Sequence, residues 1–167
     1  TDVLTQVANR RHLMEQFEVE LSRAHRDKTP LSVLMVDLDH FKSVNDNYGH
    51  QVGDVALQAA ASRLKEAIRN TDLLGRYGGE EFFIVLPGAD LNAALLTAER
   101  CRSNIESADI RADETTLKLT ASFGLATIEA DKINESNSQL DDLLKAADTA
   151  LYKAKEEGRN RIVSTSL

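Results

Sequence analysis

The chain has 167 residues, 42% hydrophobic and 28% charged, with 20 Lys and Arg against 27 Asp and Glu for a formal net charge of −7. This excludes a disordered tail, suits one compact domain, and argues against nucleic acid as a partner. The single Cys101 excludes a disulfide framework and a multi-cysteine zinc site, and every apolar run is far too short to cross a bilayer, so no membrane contact is expected of this domain.

The opening Thr1-Asp2-Val3-Leu4-Thr5 contains neither an initiator methionine nor a signal sequence. We therefore expect a single domain, residues 1–167, cut from something longer and working in the cytoplasm. Leu13, Phe17, Leu21 and Ala24 fall on one helical face and predict the first helix. A strand follows at 31–38. Leu57, Ala61, Leu64 and Ile68 predict a second helix. Strand-like runs at 73–77 and 81–86 then flank Gly78-Gly79, a pair suited to a tight hairpin because glycine accepts positive φ. Leu91, Leu95, Ala98 and Ile105 mark a third helix, followed by a strand at 117–126 and a polar loop at 129–138 with Asn134, Ser136, Asn137 and Ser138. Leu140, Leu144, Ala147, Leu151 and Ala154 give a fourth helix, and 161–163 a short last strand. A hairpin does not belong in a purely parallel sheet. The expected fold class is therefore α+β: a ferredoxin-like sandwich with a central, mostly antiparallel sheet flanked by helices.

Three polar clusters carry the chemistry. Asp37 and Asp39 close the apolar strand, and alternation puts both on one face; strand ends present functional groups, although a solvated turn or a helix cap uses the same residues. At the hairpin, Arg76-Tyr77-Gly78-Gly79-Glu80-Glu81-Phe82 offers a turn without side chains, open to close approach by a ligand, and then two carboxylates. If the hairpin pairs beside the first strand, Glu80 or Glu81 can share hard cations with Asp37, and all-oxygen donors favour Mg²⁺ or Mn²⁺ over zinc. Solubilising acids after a turn are the plainer reading. The third cluster, 41–54, is punctuated by Gly49 and Gly53. A carboxylate such as Asp54 can accept both N1–H and N2–H of guanine, and an amide such as Asn45 can read O6 or N3; adenine lacks both donors. A helix cap accounts for Asp46 or Asp54 but not for the whole run.

In this order the residues resemble a GGDEF domain, the diguanylate cyclase family, in its Gly-Gly-Glu-Glu-Phe form. The match runs from Asp2-Val3-Leu4-Thr5 and Asn9-Arg10 through Asp37-Leu38-Asp39-His40-Phe41-Lys42, Asn45-Asp46, Gly49-His50, Gly53-Asp54 and Gly78-Gly79-Glu80-Glu81-Phe82. It ends with Ala147-Asp148-Thr149-Ala150-Leu151-Tyr152, Ala154-Lys155 and Gly158-Arg159-Asn160, while Gln6 and Val7 depart from the family's Gly and Leu. The resemblance implies a nucleotidyl-cyclase-like sandwich that condenses two GTP into cyclic di-GMP with loss of two pyrophosphates. It implies that Asp37, Glu80 and the backbone carbonyl of Leu38 hold two divalent ions, with Glu80 as general base and Glu81 beside it as metal ligand or base assistant. Lys42 would stabilise charge on the phosphate. Asn45 and Asp54 would read guanine, Phe41, His50, Gly78 and Gly79 would line the nucleotide site, and Lys155 and Arg159 would hold the triphosphate. The i, i+4 spacing of the last two puts them on one face of a helix end, where a solvated cationic terminus is the default.

The resemblance also implies a homodimer, since one domain holds one GTP and the reaction needs two, and an N-terminal sensory or regulatory domain in a longer signalling protein. Arg69-Asn70-Thr71-Asp72, with five residues between Asp72 and Gly78, matches the family's inhibitory product site, with Arg100 as a second clamp on cyclic di-GMP. Alone, Arg-x-x-Asp is a surface pair worth under about 1 kcal/mol. The alternative is a catalytically silent module that senses GTP or cyclic di-GMP; such domains lose the Gly-Gly-acid-Glu-Phe residues, and this chain keeps them.

Overall fold

The computed structural model describes residues 1–134, 136 and 138–167. In chain order the elements are helix α1 (Arg10–Asp27), strand β1 (Leu31–Leu38), helices α2 (Phe41–Tyr48) and α3 (His50–Ala67), strands β2 (Leu73–Arg76) and β3 (Glu81–Pro87), and helix α4 (Leu91–Glu106). Then come the hairpin β4 (Ile110–Ala112) and β5 (Thr115–Leu117), strand β6 (Ala121–Ile128), helix α5 (Ser138–Glu156) and strand β7 (Ile162–Ser166). The central sheet is ordered β2-β3-β1-β6-β7, antiparallel throughout except for the parallel β6–β7 pair. The β6-β1-β3-β2 order, with α3 and α4 as crossovers, is the ferredoxin-like plan; α1, α5 and β7 are additions to it.

Strand β1 is central and buried along its length, and alternation assigns its residues to two cores. Leu34, Val36 and Leu38, with Phe82, Ile84 and Leu86, pack in the core that holds α3 and α4. Leu31, Val33 and Met35, with Phe83 and Val85, pack in the one that holds α1 and α5. Asn9 caps α1 through a bond from His12 N, and Asp90 caps α4 through one from Ala93 N. Gly124 lets α5 lie directly on β6: a Cβ there would sit 2.0 Å from the carbonyl oxygen of Ala147. That close seat brings the C-terminal end of α5 over the end of the sheet.

Several local expectations need correction. Residues 41–48 form a separate helix, α2, because Gly49 at φ +89° breaks the run before α3 begins at His50. The strand expected at 117–126 is two strands: Leu117 ends β5, and β6 starts at Ala121 after Thr120 has spent its carbonyl on Asp39 N. The buried stripe of α4 is Ala94, Ala98, Cys101 and Ile105, with Leu91 and Leu95 only partly buried. Neither Gly78 nor Gly79 has a positive φ. The expected loop contains a short 3₁₀ turn, Ala130–Lys132, and Ser138 opens α5; Asn137 lies outside the described residues. No described helix is long and apolar enough to cross a membrane.

Candidate active site

Asp37, the next-to-last residue of β1, is paired with Glu81 of β3. Directly opposed residues of an antiparallel pair share a face, so both carboxylates lie toward α5. Helix α5 supplies Lys155, whose Nζ donates to Asp37 Oδ2. Burial raises the pKa of Asp37 despite that lysine, and the charges of Glu80 and Asp39 add to the rise. Glu81 is raised too, first by burial and then by Asp37, with Asp148 and Glu80 adding and Lys155 opposing. Asp37, Glu80, Glu81 and Asp148 thus bring negative charge together around Lys155. Asp39 plays a different part: it accepts from Thr120 Oγ1 and Ser122 Oγ, both at 2.7 Å, and from Asn160 N at 3.0 Å. Its oxygens are committed to holding β1, β6 and the segment after α5 together.

On the other side of the sheet end, Phe41, Lys42, Asn45, His50, Asp54, Leu57, Arg76, Gly79 and Glu80 line a cleft of about 440 Å³. Seven of these nine are residues expected in the site; Leu57 and Arg76 are not. Phe41 and Leu57 are buried and form its apolar wall, while Lys42, His50 and Asp54 are exposed around it. Asn45 reaches the cleft from α2, and its Oδ1 is buried without a hydrogen-bond partner. A Cβ on Gly53 would stand 1.9 Å from that oxygen. A glycine inside a helix costs about 1 kcal/mol relative to alanine; here it makes the room that Asn45 occupies. Gly79 has open space where a Cβ would project, whereas a Cβ on Gly78 would come within 2.8 Å of Glu81 Oε1.

Arg76, to which the sequence assigns no role, braces the hairpin turn. It donates through Nε to the carbonyls of Gly78 (3.2 Å) and Gly79 (3.1 Å), and through Nη2 to Gly79 again (2.8 Å). Its Nη1 lies 3.4 Å from Asp2, whose Oδ2 also accepts from Thr5 N and Oγ1. Burial pushes the Asp2 carboxyl up, but the Thr5 bonds and the Arg76 charge outweigh it and hold the pKa below its usual value. The opening Asp-x-x-Thr turn is thereby tied to the hairpin. The signal in the sequence is a guanidinium two residues before a turn whose carbonyls lack ladder partners.

Two placements differ from expectation. Arg159 lies beyond the end of α5, at φ 64°, and is exposed, so it does not share a helical face with Lys155. Arg69 follows the end of α3 and forms a turn with Asp72: Nη2 to Oδ1 is 2.8 Å, and the same nitrogen reaches the Pro87 carbonyl at 2.9 Å. The Asp72 side chain is fully buried while that of Arg69 is 56% exposed, leaving guanidinium surface free. Arg100 Nε donates to the Ala67 carbonyl at 2.7 Å, which brings both arginines to the same end of α3. Pro87 and Glu81 are opposite ends of β3, roughly 20 Å apart at strand rise, so this arginine pair is remote from the Asp37 carboxylates.

Among the described residues no three His, Cys, Asp or Glu side chains converge into a cage for an ion. Mg²⁺ does not require one, because it binds through one or two carboxylates and takes the rest from water and substrate phosphates. Asp37, Glu80, Glu81 and the Leu38 carbonyl fit it by donor chemistry, and a lysine ammonium already stands on Asp37 as a surrogate cation.

The sheet order and the cleft at the strand ends are those of a nucleotidyl-cyclase-like fold. Residues 1–161 match the family described as diguanylate cyclase, GGDEF domain. Diguanylate cyclase DosC of Escherichia coli (strain K12) is 41% identical over 162 residues, covering 96% of this chain and 34% of that protein. The chain thus spans about a third of the length of that curated relative. The GGDEF domain of DgcB from Caulobacter crescentus, solved in complex with c-di-GMP, has a TM-score of 0.89 at 30% identity over 98% of this chain and 92% of that one. The active GGEEF domain of a diguanylate cyclase from Vibrio cholerae has a TM-score of 0.85 at 33% identity, over 95% and 97%. The chain belongs to the GGDEF-domain family of diguanylate cyclases.

Proposed function

We propose that residues 1–167 act as one catalytic domain that joins two GTP molecules into cyclic di-GMP and releases two pyrophosphates. The observation that carries this is the meeting of Lys42, Asn45, Asp54 and Glu80 on one cleft beside the Asp37–Glu81 pair. Asn45 Oδ1 is buried against Gly53, which leaves the amide nitrogen of Asn45 to donate to guanine O6 or N3, and Asp54 accepts from N1–H and N2–H at the exposed edge. Gly79 admits the nucleotide close to the hairpin backbone. Lys42, exposed on α2, neutralises charge that builds on the α-phosphate oxygens, and Lys155 and Arg159 bind the outer phosphates. Glu80, which lines the cleft, accepts the proton of the attacking 3′-hydroxyl; Glu81, next to it, assists. Mg²⁺ or Mn²⁺, two ions held by Asp37, Glu80, Glu81 and the Leu38 carbonyl, would acidify that hydroxyl and offset phosphate charge.

Each domain presents one such cleft, so turnover needs a second copy facing it. The proposal includes product inhibition at Arg69, Asp72 and Arg100, a cytoplasmic location, and an N-terminal sensory or regulatory region, the last supported by the length of the relatives. The decisive variant is Glu80→Gln, which keeps shape and removes the charge. Synthesis of cyclic di-GMP is expected to fall by orders of magnitude with the circular dichroism spectrum intact; near-normal synthesis would rule out Glu80 as the base.

A further inference from the structure

Lys155 is assigned to the triphosphate by resemblance, yet its ammonium stands on Asp37, a carboxylate proposed to hold the metal. The placement follows from the fold. Gly124 seats α5 against β6 without a side chain between them, and Lys155 is in the last turn of that helix. The Lys155 side chain is 34% exposed and that of Asp37 10%, so the amine comes from the solvent side onto a carboxylate fixed in the sheet. Glu80, Glu81 and Asp148 contribute further negative charge around the pair. In the nucleotide-free chain Lys155 supplies the cation that stands on Asp37.

We propose that Lys155 is a positioning residue that occupies the metal seat on Asp37 until nucleotide arrives, and that it moves to the phosphates as the divalent ion takes its place. The inference rests on the reading of Asp37 as a metal ligand. It gives Lys155 two partners in succession, which its flexible four-carbon stem and point charge allow and a rigid guanidinium fork would hinder. Ion and triphosphate then favour each other's entry. The ion frees the lysine that the phosphates need, and the phosphates hold the lysine away from the seat; such coupling is reciprocal. Without nucleotide, metal must compete with a tethered cation, so its affinity is held down.

The test is Mn²⁺ binding to nucleotide-free protein, read from the electron paramagnetic resonance signal of the free ion, for wild type, Lys155→Met, Lys155→Arg and Asp37→Asn, each checked by thermal melting. Lys155→Met is expected to bind Mn²⁺ about tenfold more tightly than wild type, about 1.4 kcal/mol. Lys155→Arg, which keeps the charge, is expected to stay within about threefold of wild type, and Asp37→Asn to bind at least tenfold more weakly. Adding GTP should tighten Mn²⁺ binding in wild type but much less in Lys155→Met. If Lys155→Met binds Mn²⁺ no more tightly while Asp37→Asn abolishes binding, the seat exists but the lysine does not hold it, and the inference is overturned. If Asp37→Asn leaves Mn²⁺ binding unchanged, the metal assignment itself is wrong and the inference falls with it.

Discussion

Gly53→Ala would insert a methyl group 1.9 Å from Asn45 Oδ1, 3.0 Å from its Cγ and 3.3 Å from Phe41 Cζ. Ordinary contact distance is about 3.5 Å, so the amide must retreat by roughly 1.5 Å, more than a hydrogen bond to a base tolerates. The helix gains about 1 kcal/mol from alanine propensity, against about 1–3 kcal/mol for overpacking. The variant is therefore expected to fold, with a stability loss below about 2 kcal/mol. Losing the Asn45–guanine contact costs about 1–3 kcal/mol, or roughly 5- to 150-fold in GTP affinity. Calorimetric titration with GTP and Mg²⁺ measures this directly, with Asn45→Ala and the double variant alongside. Because Gly53 acts only by leaving room for Asn45, the double variant should bind GTP no more weakly than Asn45→Ala alone. Wild-type GTP affinity in a folded Gly53→Ala, or losses that add in the double variant, would refute the reasoning.

Asp54→Ala removes the acceptor for two guanine donors at the exposed edge of the cleft, so GTP affinity should drop about 5- to 50-fold with little change for ATP; equal binding of both nucleotides by wild type would contradict guanine selection. Arg69→Ala leaves the Arg69 N bond to Asp72 Oδ2 in place, so the turn should survive while cyclic di-GMP binding weakens at least about tenfold. Unchanged product affinity in calorimetry would make the pair merely structural. Burial, together with neighbouring charge, holds the Glu81 carboxyl above its ordinary 4.5, so the folded chain binds that proton more readily than the unfolded one. Its contribution to stability therefore falls as pH rises from that value through the folded-state value. Without metal, Glu81→Gln should melt higher than wild type at pH 7, with the advantage shrinking toward pH 4.5; an equal gain at both pH values would show that charge is not the cause.

Much of the frame was legible because its signals are local. Strand β1 has the span its apolar run predicts, and the Gly-Gly hairpin lies between β2 and β3 beside it. Polar, glycine-broken segments gave less: α2 has only Phe41 and Val44 buried, too few apolar positions for periodicity to register. The break between β5 and β6 depends on Asp39, which captures Thr120 and Ser122 from more than 80 positions away, information no window of sequence contains. The site residues were legible as a set through their order. The arrangement of the three acids was not: Glu81 and Asp37 share the α5 face, while Glu80, in the turn and near both, lines the cleft. Nor were the tie from Asp2 through Arg76 to the turn and the seat of Lys155 on Asp37, since both need the tertiary fold to bring distant charges together.

The most direct test of the central claim is product analysis. Protein shown by sedimentation to be dimeric is incubated with GTP and Mg²⁺, and the nucleotides and pyrophosphate are quantified by chromatography and enzymatic assay. One cyclic di-GMP and two pyrophosphates per two GTP consumed is the predicted result, absent from the Glu80→Gln preparation. GTP left intact by the dimer, or consumed to GDP and phosphate, would contradict it.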